Sequence, residues 1–324
     1  MTVTSEELNS QELISKPVRD FLIQIKEKPK KINNEELKIQ ANAQIGQVAL
    51  HYEKIRNVID YQEECLLFRN AVARILKRKW LVLKRDREIG LGLIQELIWA
   101  GYLKNNSLPL SKASEVDNLI DKYKRFFQAI ESRKYNRSKI FNFVIDVASC
   151  HLMEILKSNI QEENFVYLAS PVIRERIEIP KEEIDSDTLD IQVELAVRRI
   201  ALKAGQAQLS YRLFNLYYPN WFEADSDQII ETGQNFDQFY DNIQAQLSNP
   251  HAEQLLRFIR KNIPPLIILK DIIQGFGQSF NELVQDQKKI ENKANYFYSK
   301  YYQKAISKIS KGVMRAILFI LLTK

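Results

Sequence analysis

Apolar residues recur every three or four positions through most of this chain, which is the period of an α-helix. In the N-terminal third, this spacing predicts a helix from about Ala41, another after a break near residues 60–64, and a third that ends at Gly101. Glycine is the residue type that most often ends a helix. Residues 1–38 are polar and predict an arm with one short helix around 18–25.

The middle of the chain has no glycine or proline from Ser114 to about Ile160. Two apolar stripes in this stretch predict two helices separated by the polar segment ESRKYNRS. Pro171 and Pro180 flank the segment VIRERIEI, whose alternation fits a short strand or an extended linker. We therefore expect a linker at residues 168–187.

The C-terminal half also has the helical period. The predicted helices lie at 189–204, at 207–222 with an end at Pro219, at 225–248, at 250–262, at 264–274 and from Gln278 to Ser310. The expected fold is all-α, with two irregular helical subdomains and a long amphipathic C-terminal helix that leads into an apolar segment. Its parts are a polar arm (1–38), a first subdomain (39–167), the linker (168–187), a second subdomain (188–277) and the C-terminal helix and tail (278–324).

Composition supports long helices. The 324 residues include only 9 glycines and 9 prolines, whereas 45% are apolar, which is enough for a sizeable core. The two cysteines, Cys65 and Cys150, are 85 residues apart and do not suggest a disulfide framework. The acidic N-terminus lacks the apolar core of a secretory signal, so a reducing cytosolic setting is expected.

Positive charge is concentrated in two segments. Residues 286–324 contain nine Lys/Arg and two acidic residues, and residues 69–87 contain eight Lys/Arg and one acidic residue. The whole chain has a formal charge of only +6, so the remainder is acidic. Basic patches of this kind predict anionic partners, such as lipid headgroups, nucleic acid or an acidic protein.

The C-terminal segment combines aromatic residues, regularly spaced lysines and a final apolar run. On a helical wheel the five cations from Lys300 to Arg315 fall within about 80°, and the apolar stripe centres about 150° away. The stripe consists of Tyr298, Tyr302, Ala305, Ile306, Ile309 and Val313. Such a helix suits an anionic lipid interface. The predicted interface residues are Tyr298, Lys300, Tyr301, Tyr302, Lys304, Lys308, Lys311 and Arg315. The alternative is an ordinary terminal helix whose apolar stripe packs on the core.

Ala316–Leu322 is a run of seven apolar residues with no polar face. A bilayer-spanning helix needs about 20 such residues, so the run is too short to span by itself. It predicts that the natural protein continues into a transmembrane helix and that the chain lies on the cytoplasmic side of a membrane.

The second basic segment is more ambiguous. Its cations Arg74, Lys77, Arg78, Lys84 and Arg85 share one half of a helical wheel, opposite an apolar half. A solvated face, phosphate contacts with nucleic acid, and docking on lipid headgroups or an acidic protein all use such residues. These three interpretations stay open.

No motif for catalysis, cofactor binding or metal binding accompanies these segments. Gly90-Leu-Gly92 and Gly275-Phe-Gly277 lack the third glycine of a dinucleotide loop. The three histidines do not have metal-site spacing, and the loop after Asp185 lacks the sixth-position glycine and the twelfth-position glutamate of a calcium loop. Cys150 and His151 are neighbours on a helix and point about 100° apart, so we expect a buried cysteine beside a half-exposed histidine.

Four stretches carry a resemblance. They are HYEKIRNVIDYQEECLLFRNAVARILKRK (51–79), LIQELIWAGYLKNNSLP (93–109), LSYRLFNLYYPNW (209–221) and the basic-to-apolar end from Lys308. The chain resembles a family of helical, membrane-anchored proteins from small-genome uncultivated bacteria. The resemblance implies a continuation into an apolar membrane region, and it implies no activity, cofactor or catalytic residue.

The sequence therefore favours a membrane-tethered cytosolic helical scaffold or interaction module with a protein partner. One alternative is a nucleic-acid-associated protein that uses residues 69–87. A further alternative is an enzyme whose pocket no motif reveals.

Overall fold

A computed structural model of the protein describes residues 15–26, 37–41, 64–82, 89–157, 160–180, 182–280, 283 and 285–323. In these ranges the chain is all-α, as predicted, and forms no β-strand beyond an isolated bridge between Lys38 and Pro109. The described α-helices are α1 (Lys16–Lys26), α2 (Glu64–Val82), α3 (Ile89–Trp99), α4 (Ser111–Ala129), α5 (Arg137–Leu156), α6 (Ile160–Arg174), α7 (Ser186–Ala201), α8 (Gln206–Tyr217), α9 (Ser226–Gln234), α10 (Phe236–Leu247), α11 (Ala252–Asn262), α12 (Pro264–Phe276) and α13 (Gln287–Thr323).

The chain forms two compact units, each assembled from segments that are distant in sequence. The larger unit comprises residues 30–160 and 181–256, and the smaller unit comprises residues 1–29, 161–180 and 257–324. Helices α2–α5 and α7–α10 belong to the larger unit. Helices α1, α12, α13 and most of α6 and α11 belong to the smaller one. The five-part division drawn from the sequence stays a prediction.

Helix α5 is the centre of the larger unit. It packs against α2, α4 and α8, and it is apolar on more than one face, as a helix surrounded by others must be. Its N-terminus is capped by Asn136, whose side chain accepts a hydrogen bond from the Lys139 backbone N–H at 2.9 Å. This cap explains why the polar segment before it separates α4 from α5.

An aromatic cluster fills the space between α4, α5, α8 and α10. Phe126 lies with its ring centroid 5.1 Å from that of Trp221 and 5.9 Å from that of Phe214. Phe239 of α10 lies 5.8 Å from Phe214. Rings in such offset and edge contacts contribute about 0.5–1.5 kcal/mol per pair beyond the burial of their area. The cluster therefore fixes how these helices pack.

Two glycines permit close helix contacts in the larger unit. A Cβ at Gly90 would lie 2.2 Å from the backbone oxygen of Ala113, and one at Gly233 would lie 2.7 Å from the Cβ of Ala129. The Gly90 backbone N–H also donates to Asp117 Oδ1 at 2.7 Å. Gly90 is therefore required by packing between α3 and α4.

The prediction of one helix over 225–248 was wrong, because the segment forms α9 and α10 with a break at Asn235. The two helices pack against different neighbours. Gly233 allows α9 to approach α4 closely, whereas Phe236 and Phe239 of α10 belong to the aromatic cluster. A single straight helix would not present both faces.

Two further boundaries differ from those expected. Helix α6 continues through residues 168–174 with Pro171 inside it, and α7 begins at Ser186, so among the described residues only the middle of the predicted linker is not helical. Helix α13 begins at Gln287 instead of Gln278, because Gly277 ends α12 with a positive φ of 52° and Asp286 accepts a hydrogen bond from the Lys289 N–H. The helix predicted from Ala41 lies mostly outside the described residues.

Candidate functional site

Helix α13 is attached to the smaller unit by one face of its first half. Lys293 Nζ lies 5.2 Å from the Phe276 ring, and Tyr301 donates a hydrogen bond to Asp271 Oδ2 at 2.6 Å. Phe297 lies between these two contacts, next to Gly275 of α12. Because Lys293, Phe297 and Tyr301 are four residues apart, they form one face of the helix.

The predicted apolar stripe lies on another face, and its described members are exposed. Tyr298, Tyr302 and Ile306 have 61%, 60% and 46% of their surface accessible. On a helix these residues lie about 100° to 180° from Phe297 at the centre of the packed face. These three residues therefore do not pack on the core, as the alternative interpretation would require.

The other predicted interface residues are placed as follows. Tyr301 lies on the face that contacts α12, with 37% of its surface still accessible, and Lys300 is exposed with its Nζ 6.0 Å from the Phe297 ring. The side chains of Lys304, Lys308, Lys311 and Arg315 lie outside the described residues, although the helix backbone continues to Thr323. Among the described helices, none is both long and apolar enough to cross a membrane.

Several of the described cations of the segment 69–87 are engaged within the larger unit. Arg69 forms an ion pair with Asp146 at 2.8 Å, and Arg78 and Lys79 both pair with Glu96. Lys77 is exposed and donates to Asn142 Oδ1 at 3.0 Å. Phe68, Val72 and Ile75 are buried, as the predicted apolar half requires, and Arg74 is half-buried. Lys84 and Arg85 lie outside the described residues.

A cleft next to this segment was not predicted. Trp80 of α2 packs against Phe127 of α4 and Phe141 of α5, with Lys124 and Arg137 at its rim. Sequence reasoning missed it because its residues come from three helices. The one local signal was the basic, aromatic end of α2.

His151 is a buried polar group at the centre of the larger unit. The expectation of a half-exposed histidine was wrong: His151 is 6% exposed, because α8 and the turn at Phe222 cover it. The hydroxyl oxygen of Tyr123 lies 3.2 Å from its Nδ1, so the two side chains share a hydrogen bond. Burial, and then the charge of Lys122, lower the pKa of His151 to about 4. Cys150 beside it is buried, as expected.

Polar side chains around His151 form a hydrogen-bonded network. Tyr211 donates from its hydroxyl to Glu154 Oε2 at 2.7 Å, and its pKa is raised by burial and by that carboxylate. Lys122 Nζ donates to the carbonyls of Trp221 and Phe222. Within the described ranges, no group of three or more His, Cys, Asp or Glu side chains is placed to hold a metal ion. This network therefore cross-links α4, α5 and α8.

Comparisons with known proteins found no similarity: no protein-family model, no curated protein and no solved structure matches this chain.

Proposed function

We propose that the protein is a helical interaction module held at the cytoplasmic face of a membrane by its C-terminal helix. The observation that carries the proposal is the exposure of Tyr298, Tyr302 and Ile306 on a helix whose other face is packed. A row of large apolar side chains on one exposed face is typical of a surface that contacts a partner.

Charge makes an anionic lipid surface the partner that fits best. Lys300, Lys304, Lys308, Lys311 and Arg315 follow the same helix beside the apolar stripe. Each Lys or Arg near an anionic leaflet contributes about 1 kcal/mol, and tyrosines favour the headgroup level. The helix is 37 residues long, or about 55 Å at 1.5 Å per residue, so several turns would contact lipid at once.

The nucleic-acid alternative has less support. Arg69, Arg78 and Lys79 already pair with carboxylates, which reduces the number of cations open to phosphates. A mobility shift with single- or double-stranded DNA that weakens steeply with salt would favour this alternative.

Co-sedimentation with vesicles tests the lipid proposal. The full chain should bind vesicles of phosphatidylcholine with phosphatidylserine more tightly than vesicles of phosphatidylcholine alone. The double variant Tyr298→Ser/Tyr302→Ser should lose about tenfold in affinity, because two exposed rings no longer enter the interface.

The matched control removes two tyrosines that lie off the stripe. Tyr167 and Tyr296 have 53% and 61% of their surface accessible, so Tyr167→Ser/Tyr296→Ser exchanges the same residue type at similar exposure. This variant should bind within about twofold of the parent. Equal losses for both double variants would refute the role of the apolar stripe, since Tyr296 lies on α13 but off the stripe. Binding that survives deletion of residues 296–324 would refute the role of α13.

A further inference from the structure

The cleft beside α2 has an aromatic floor built from three helices of the larger unit. The ring centroids of Trp80 and Phe127 are 6.2 Å apart, those of Trp80 and Phe141 are 5.7 Å apart, and those of Phe127 and Phe141 are 5.5 Å apart. The cleft has a volume of about 560 Å³, within the range of pockets that bind ligands. Its lining consists of Trp80, Leu81, Lys124, Phe127, Gln128, Arg137, Ser138 and Phe141.

The rim of the cleft is cationic. Lys124 and Arg137 are among the lining residues, and none of the lining residues is acidic. In the part of the chain that the structure describes, Arg137 has no carboxylate partner: its guanidinium lies 3.6 Å from the Phe127 ring centroid, and its Nη1 donates to the Ile130 carbonyl at 3.0 Å. Among the described carboxylates, Lys124 contacts Asp121 alone, at a long distance of 3.5 Å.

Two further features favour an anion at this rim. Burial lowers the pKa of Arg137, because its charge has lost part of its hydration without gaining a counter-charge. Arg137 and Ser138 also occupy the first turn of the 20-residue helix α5, where the helix dipole is positive.

The aromatic floor favours an aliphatic side chain over a nucleic-acid base. A base stacks on an open ring face. The face of Phe127 is covered by Arg137, and Trp80 packs at 86° to both phenylalanines, so the rings already cover one another. Leu81 at the rim is 57% exposed and extends the apolar surface.

We propose that this cleft binds an acidic segment of a protein partner, with an aliphatic side chain against the three rings and carboxylates on Lys124 and Arg137. The inference rests on the interaction part of the proposed function and does not depend on lipid binding by α13. It names the chemical class of the partner: a short peptide with Leu- or Ile-type anchors flanked by Asp or Glu.

Selection from a random peptide library on the immobilised full chain tests this inference. The enriched peptides should combine acidic residues with an aliphatic anchor, and fluorescence anisotropy then measures the affinity of the most enriched one. Lys124→Glu/Arg137→Glu should weaken that affinity at least about tenfold. Arg137→Met, which keeps an apolar chain on Phe127, provides a second variant that removes charge with less risk to the fold.

The matched control changes the net charge by the same amount at two positions outside the cleft. Lys38 and Lys104 are exposed residues of the larger unit that do not line it, so Lys38→Glu/Lys104→Glu should alter the affinity less than about twofold. Enrichment without acidic residues, or equal losses in both double variants, would overturn the proposal. The proposal would also be overturned if single-stranded DNA or phosphatidylserine vesicles displaced the peptide while the cleft variants kept full affinity for it. Failure of vesicle binding alone would leave the cleft result unchanged.

Discussion

The hydroxyl of Tyr301 donates a hydrogen bond to the carboxylate of Asp271 at 2.6 Å, and this contact joins α13 to α12. Phe297 and Lys293 lie on the same face as Tyr301, one and two turns earlier. With this face packed, the face that bears Tyr298 and Tyr302 stays in contact with solvent. One side-chain contact therefore helps to decide which surface of α13 faces solvent.

Tyr301→Phe should loosen α13 from α12. The substitution removes the donor to Asp271, and the ammonium of Lys270 lies 3.8 Å from the other oxygen of that carboxylate. A hydrogen bond of this kind contributes about 1 kcal/mol. Burial and Asp271 raise the pKa of Tyr301, so the hydroxyl remains a donor at neutral pH. Amide hydrogen exchange in α12 and α13 should accelerate about fivefold. Tyr302→Phe, on an exposed ring, is the control, and equal acceleration in both variants would contradict the assignment.

Neutralising the cationic stripe should weaken binding to anionic vesicles. With about 1 kcal/mol for each residue at low salt, changing four cations to Gln should cost up to about 10³ in affinity. The substituted residues are Lys304, Lys308, Lys311 and Arg315. Binding to vesicles of phosphatidylcholine alone should change little, because those surfaces lack net charge. The control variant loses the same charge through four Lys→Gln changes outside α13, at 38, 104, 203 and 261. A similar loss of vesicle affinity in this control would show that only total charge matters.

Gly90→Ala should destabilise the larger unit, whereas Gly92→Ala should not. The new Cβ at Gly90 would clash with the Ala113 backbone oxygen, which cannot move without shifting α4. We expect a loss of about 2 kcal/mol in the free energy of unfolding. A Cβ at Gly92 meets only the end of the Lys79 side chain, and alanine favours helix by up to about 1 kcal/mol. Urea unfolding measures the free energy of unfolding of both variants. Equal values for the two would show that α3 and α4 can move apart without cost.

Protonation of His151 should make the protein less stable in mild acid. The unfolded histidine takes up a proton near its ordinary pKa of 6.5, but the buried one does so only near 4. The unfolded state therefore binds more protons between these values, and stability falls as the pH drops through this window, by about 3 kcal/mol in total.

Urea unfolding at about pH 7 and about pH 5 tests this effect. His151→Gln should remove much of the difference in unfolding free energy between the two conditions, because glutamine does not ionise. His251→Gln, at a partly exposed histidine, is the matched control. If the His151 variant keeps the full difference in unfolding free energy between the two pH values, other groups cause the pH dependence.

Periodicity predicted most helices because local residue pattern and packing agree there. Helices α4 and α5, the polar break between them and the end of α3 shortly before Gly101 all follow from short-range signals. The break at Asn235 did not follow, since it depends on which neighbour each half contacts. The same holds for α6, which continues through Pro171.

The candidate sites divide in the same way. The sequence by itself predicts a cationic stripe and an apolar stripe on α13, because both depend only on spacing along one helix. Only the tertiary structure decided that Lys293, Phe297 and Tyr301 form the packed face, and that Trp80, Phe127 and Phe141 meet at one cleft. Contacts between residues far apart in sequence depend on how helices pack against each other, and no pattern within a single helix contains that information.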